Sequence, residues 1–279
     1  MDGMKLEWAD VPGARLRYRW GGSGPVVLLL HGHPRTHTTW WRVAPLLVEA
    51  GFTVVCPDLP GYGESRIGSY SKTAMAGAVA ELMEERFGGA YCAVGHDRGS
   101  YVAHRLAVSH GAERLVVLDG VPVAHALGTC DAKFAAAYWH WFFFAQEEKR
   151  AEEWISRDPL AWYRNADPAA MGSENYADWR RAVTNPEVVA AMVGDYRCGP
   201  SVDRADEEAD FAAGRLAGCP TLVGWSAHDD LEELHGDPVA VWRSWVTGPL
   251  RGVKIDSGHH MAEDAPEELA DAIAGFMRE

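Results

Sequence analysis

The sequence predicts an α/β fold: a mostly parallel, doubly wound sheet interrupted by an inserted helical cap. Three observations carry that expectation. Short apolar runs alternate with helix-length segments from Val26 to Leu118 and again from Pro220 to Met277. A glycine-flanked turn, Gly95-His96-Asp97-Arg98-Gly99, joins one such run to the next helix. From about Pro122 to Phe211 no strand pattern appears, and aromatic and acidic residues recur at helical spacing.

The elements follow in order. Residues 4 to 20 mix apolar and polar positions before Gly21-Gly22-Ser23-Gly24, as two short strands and a turn would. Val26 to Leu30 is continuously apolar, the mark of a strand buried on both faces. Helix is expected from Thr39 to Ala50, with Pro45 awkward inside it, then strand at Thr53 to Cys56 and helix from Thr73 to Phe87. Tyr91 to Val94 reads as strand, Ser100 to Ser109 as helix and Arg114 to Leu118 as strand. After the insertion come strand Pro220 to Trp225, helix Pro238 to Trp245, strand Val253 to Asp256 and helix Pro266 to Met277. The expected domains are a core of residues 1–121 and 213–279 and a cap of residues 122–212.

Composition narrows the function classes. The chain has 279 residues, 47% of them apolar, so a sizeable core can form. Its formal charge of -14 repels phosphates, which argues against nucleic acid and acidic membranes as partners. A small anionic substrate needs only a local cluster of Arg. No run reaches the ~20 apolar residues of a membrane span. The first residues lack a charged start followed by an apolar stretch, so no signal peptide is expected. Five cysteines lie scattered without CxxC spacing, as in a reduced, cytoplasmic protein.

The chemistry concentrates at Asp97. A G-x-nucleophile-x-G turn between strand and helix lifts its central side chain above the sheet edge. The alternative, that Asp97 merely caps the next helix, leaves the two glycines unexplained. A carboxylate attacking an ester carbonyl would form an anhydride. Attack on saturated carbon instead gives an ordinary ester, so Asp97 favours carbon–halogen or epoxide opening. That ester then needs an activated water. His259, in Ser257-Gly258-His259, is the expected base, with His260 its rival. Asp119 and Asp229 both end strands, and either suits the acid that orients the imidazole. His31-Gly32-His33-Pro34 fits an oxyanion loop, the N–H groups of His33 and Arg98 being the donors. A metal site at His31, His33 and His37 lacks the further ligands expected nearby.

At these residues the sequence resembles the fluoroacetate or haloacetate dehalogenase branch of the α/β-hydrolases. The resemblance runs over most of the chain. It is strongest at the turn around Asp97, at Phe134 to Phe144, at Asp195-Tyr196-Arg197 and at Gly258-His259. It implies the α/β-hydrolase fold with Asp97 as nucleophile, Asp119 as acid and His259 as base, with His140, Trp141 and Tyr196 receiving the halide. It also implies Arg98 as clamp for a substrate carboxylate. The family has a second Arg where this chain has Tyr101, and Arg35 is a candidate to compensate. No metal or cofactor is implied, and a homodimer is a family expectation.

The expected function is hydrolytic dehalogenation of a short 2-haloacid. An epoxide hydrolase would share Asp97 and His259 but needs two converging lid tyrosines, for which Tyr138, Tyr163, Tyr176 and Tyr196 are available. A binding protein on the same fold would have no use for the Asp97–His259 pair.

Overall fold

The computed structural model describes every residue but 2 and 165. Its strands are β1 (Lys5–Val11), β2 (Ala14–Gly22), β3 (Val26–Leu30), β4 (Thr53–Pro57), β5 (Arg66–Ile67), β6 (Cys92–His96), β7 (Arg114–Leu118), β8 (Thr221–Ser226) and β9 (Leu250–Ile255). They form one sheet in the order β1-β2-β4-β3-β6-β7-β8-β9, with the two-residue β5 pairing to β2. Pairing is parallel from β4 to β9 and antiparallel where β2 meets β1, β4 and β5.

The apolar runs become the central strands because both of their faces are covered. In β3, Leu28 and Leu30 join one core layer, while Val27 and Leu29 join the other. Full burial of such side chains contributes roughly 1.5–3 kcal/mol each. The expected helix over Thr39–Ala50 divides at Arg42 into a 3-10 turn, His37–Trp40, and a helix, Val43–Glu49. Pro45 thus falls in the first turn of that helix, where its missing N–H costs nothing.

Among the described residues between β7 and β8 the only regular structure is helical, from Val123 to Ala212. These helices close over the carboxyl ends of the parallel strands, where such sheets carry their sites. Core and cap are joined by buried charge. Arg17 of β2 donates to Asp58 after β4 and to both oxygens of Asp178 in the cap helix Ser173–Val183.

Candidate active site

Asp97 sits between β6 and the helix Arg98–Ser109 with φ 50° and ψ -118°. A non-glycine residue there stores about 1–3 kcal/mol of strain. The flanking glycines make the turn passable. A methyl on Gly95 would strike the Gly99 carbonyl, and one on Gly99 would strike the carbonyls of Leu30 and His31. Gly32 is likewise needed, because a methyl there would overlap the Asp97 side chain.

The carboxylate is thereby held in two directions. Oδ1 accepts the His33 N–H at 2.7 Å, and the Arg98 N–H also favours its charged form. Oδ2 faces His259 Nε2 at 3.9 Å, too long for a direct hydrogen bond. Burial raises the Asp97 pKa, but the charges of His259 and His96 outweigh it and leave the group below its ordinary value. A carboxylate at neutral pH follows.

His259 lies past β9, and its Nδ1 is 2.7 Å from Asp229 Oδ2. Asp119 Oδ2 is 3.6 Å away, outside hydrogen-bond range. The Asp119 carboxylate is engaged by the Ser226 N–H at 2.8 Å and by the Ser226 hydroxyl. Of the two candidate acids, Asp229 is the one within hydrogen-bond distance of the imidazole here, and Asp119 lies beside it, bonded to Ser226. Burial opposes protonation of His259, yet Asp119, Asp229 and Asp97 together hold its pKa well above 6.5. His96 Nε2 donates to the His259 carbonyl at 2.7 Å and fixes this loop. His260 is pushed well below 6.5 by burial and by the positive charge of Arg35, and it forms no ion pair with a carboxylate among the described residues.

Asp97 and His259 open onto a cavity of about 680 Å³ beneath the cap. His33, His140, Trp141 and Tyr196 also line it. The Tyr196 ring centre lies 5.6 Å from that of His140 and 6.1 Å from that of Trp141, so the three expected halide donors share one wall. Burial lowers the His33 and His140 pKa values to about 3 and about 4, so both are neutral at pH 7.

The expected carboxylate contacts do not assemble. Arg98 is absent from the cavity wall, and its Nε and Nη2 donate to the Asp195 carboxylate at 2.9 Å each. With Nε and Nη2 engaged, only Nη1 is left without a partner among the described residues, and it is buried, so the two-nitrogen grip on a substrate carboxylate is not available. Arg35 is turned away, bonded through Nε and Nη2 to Glu263 at 2.8 and 2.9 Å. Tyr101 lines a gap of about 10 Å³ beside Asp97, too small for a ligand.

Of the candidate tyrosines, Tyr138 donates to Asp230 and Tyr176 packs against Trp179. Tyr163 and Tyr196 both lie against His33, with ring centres 5.5 and 5.1 Å away. The histidines of the oxyanion loop do not converge on a metal. His31 accepts the Leu59 N–H, and His37 bonds to Asp58. Cavity residues missed from sequence include Phe144, Trp162, Arg164 and Asp230. The pair Trp162-Tyr163 in an aromatic-rich insertion was the signal for the second of these.

The chain matches the model of the Alpha/beta hydrolase family over residues 27–272. It belongs to the alpha/beta hydrolase family. This hydrolase is 32% identical to a fluoroacetate dehalogenase from a Burkholderia species, over 99% of this chain and 94% of that one. It is 28% identical to a soluble epoxide hydrolase from Corynebacterium, over 96% of each chain. Its fold superposes with TM-score 0.91 on a mutant protein from Pseudomonas aeruginosa, provisionally named an epoxide hydrolase and solved with bound MFA. That protein is 35% identical, and the match covers 100% of this chain and 97% of the other. No helix of the hydrolase is long and apolar enough to cross a membrane among the described residues.

Proposed function

We propose that this hydrolase is a hydrolytic dehalogenase acting on a short 2-halo carbonyl compound, haloacetate being the reference substrate. Asp97 Oδ2 displaces halide from the carbon next to the carbonyl, and an ester forms. His140, Trp141 and Tyr196 offer N–H and O–H donors to the departing anion on one wall of the cavity. Water then attacks the ester carbon. His259 Nε2 takes its proton, Asp229 stabilises the resulting imidazolium, and the His33 and Arg98 N–H groups hold the oxyanion. The gap of 3.9 Å between Asp97 and His259 leaves the base close to the ester without blocking the attacking water.

The observation that carries this reading is the shared cavity: the free oxygen of Asp97 faces it, and the three halide donors line it. Chloride release from chloroacetate, compared with the Asp97→Asn variant, tests it. Release by the unaltered enzyme alone is expected, and equal release by both ends the proposal.

Epoxide hydrolysis is the second reading, favoured by Tyr163 and Tyr196 flanking His33, with the Tyr163 hydroxyl buried and unpartnered. Diol formation from a styrene-oxide-type substrate without halide turnover would select it.

A further inference from the structure

Arg98 is fully buried beside the nucleophile, yet it does not face the substrate cavity. Asp195, in the cap helix Pro186–Cys198, takes Nε and Nη2 of the guanidinium and also accepts from the Tyr62 hydroxyl at 2.7 Å and from Lys72. The guanidinium carbon lies 4.2 Å from the centre of the Tyr196 ring, 5.2 Å from Tyr101 and 5.6 Å from Trp141. Two of these three rings carry halide donors. The guanidinium of this ion pair lies against the rings, and its field, partly offset by Asp195, favours an anion held by their O–H and N–H groups.

The same arrangement leaves the cavity short of cations. Its wall carries the carboxylates of Asp97, Asp229 and Asp230. The one Arg or Lys on the wall among the described residues is Arg164, which is exposed to solvent. His33 and His140 are neutral at pH 7, and the one buried cation on the wall among the described residues, the His259 imidazolium, is already shared between Asp229 and Asp97. A substrate carboxylate would therefore enter a cavity with more carboxylates than cations, whereas an uncharged carbonyl compound meets no such repulsion.

We propose that Arg98, held by Asp195, is a positioning residue that assists the leaving halide through Tyr196 and Trp141, and that neutral 2-halo carbonyl compounds of the haloacetamide class are substrates. The proposal rests on the dehalogenase reading above. With chloroacetamide, Asp97 Oδ2 bonds to the CH2 carbon while the C–Cl pair leaves as chloride. Water adds to the ester, and its proton passes through His259 to the departing oxygen. Chloroacetamide and water become glycolamide, chloride and a proton.

The test compares chloroacetate with chloroacetamide on the unaltered enzyme, with Asp97→Asn as blank against cysteine alkylation. The expected kcat/KM for the amide is within about tenfold of the acid or above it. An amide value more than about a hundredfold lower, with the acid turned over, overturns the proposal and leaves the dehalogenase reading intact. Halide release from neither compound overturns the dehalogenase reading itself.

A second arm uses Arg98→Met combined with Asp195→Asn, so that no buried carboxylate is left unpaired. The expected loss is several-fold larger for chloro than for bromo substrates, roughly following the demand of the leaving group, and equal for acid and amide. A rise in KM confined to the acid, equal for both halides, would make Arg98 a substrate clamp and contradict the proposal. If that double variant fails to fold, Arg98→Lys takes its place, with the same chloro–bromo and acid–amide readouts and the same expected and contrary results.

Discussion

His259 Nδ1 lies 2.7 Å from Asp229 Oδ2, while Asp119, at 3.6 Å, spends its hydrogen bonds on Ser226. The two acids should therefore respond differently to the same change. Asp229→Asn should slow ester hydrolysis by up to about 10⁴-fold, the cost of leaving the catalytic imidazole in the wrong tautomer, and cause the alkylated enzyme to accumulate. Asp119→Asn should lose far less rate but about 1–3 kcal/mol of stability, because it disturbs a buried network. Rapid-quench mass analysis and thermal melts separate the two effects. Accumulated ester in Asp119→Asn alone would reverse the assignment.

The two chemical steps should also part company with pH. In the resting enzyme the Asp97 charge helps to keep the His259 pKa well above 6.5. Alkylation removes that charge, so the imidazole becomes easier to deprotonate when it must act as base. The halide burst needs only ionised Asp97, whose pKa is depressed. It should be flat from about pH 5 upward, while ester hydrolysis rises with pH as His259 loses its proton. A burst that falls in parallel with turnover on acidification would contradict this.

Tyr196→Phe removes one donor from the halide wall. Loss of a hydrogen bond to a charged group is worth about 1.5–3 kcal/mol, so alkylation should slow by roughly 10- to 150-fold. Ester hydrolysis, measured in a single turnover after the burst, should hardly change. An equal fall in both steps would assign Tyr196 a packing role.

Asp178 tests the joint between core and cap. It accepts from two nitrogens of Arg17 and from the Thr36 hydroxyl, all buried. Asp178→Ala should destabilise by roughly 3–5 kcal/mol, because Arg17 loses part of its pairing. The melting temperature reads this directly, and an unchanged value would show the network to be dispensable. Asp58 shares Arg17, and its pKa lies below the ordinary carboxylate value despite burial, chiefly through His37 and Arg17. Its stabilisation is complete above the unfolded pKa of ~3.9 and disappears as pH falls toward the folded one.

Much of this was legible in the residues. Continuous apolar runs such as Val26–Leu30 announced buried parallel strands, and two glycines around Asp97 announced a strained turn. Local spacing could not show which acid meets His259, because Asp119 and Asp229 both end strands and only the approach of the β8 and β9 loops separates them. Nor could it reveal that Arg98 is paired with Asp195, 97 positions along the chain. Arg35 misled for the same reason: its partner, Glu263, comes from the far end of the sequence. The two-residue β5 has too few positions to show a periodicity at all.

One measurement bears most directly on Asp97 as nucleophile. A single turnover is run in heavy-oxygen water with enzyme in excess over haloacetate, and the peptide containing Asp97 is weighed beside the product. Water attack on an Asp97 ester predicts that the heavy oxygen enters the Asp97 carboxyl group while the first product hydroxyl stays light. Heavy oxygen in that first product hydroxyl, with Asp97 unlabelled, would mean that water attacks the substrate directly and would contradict the covalent mechanism.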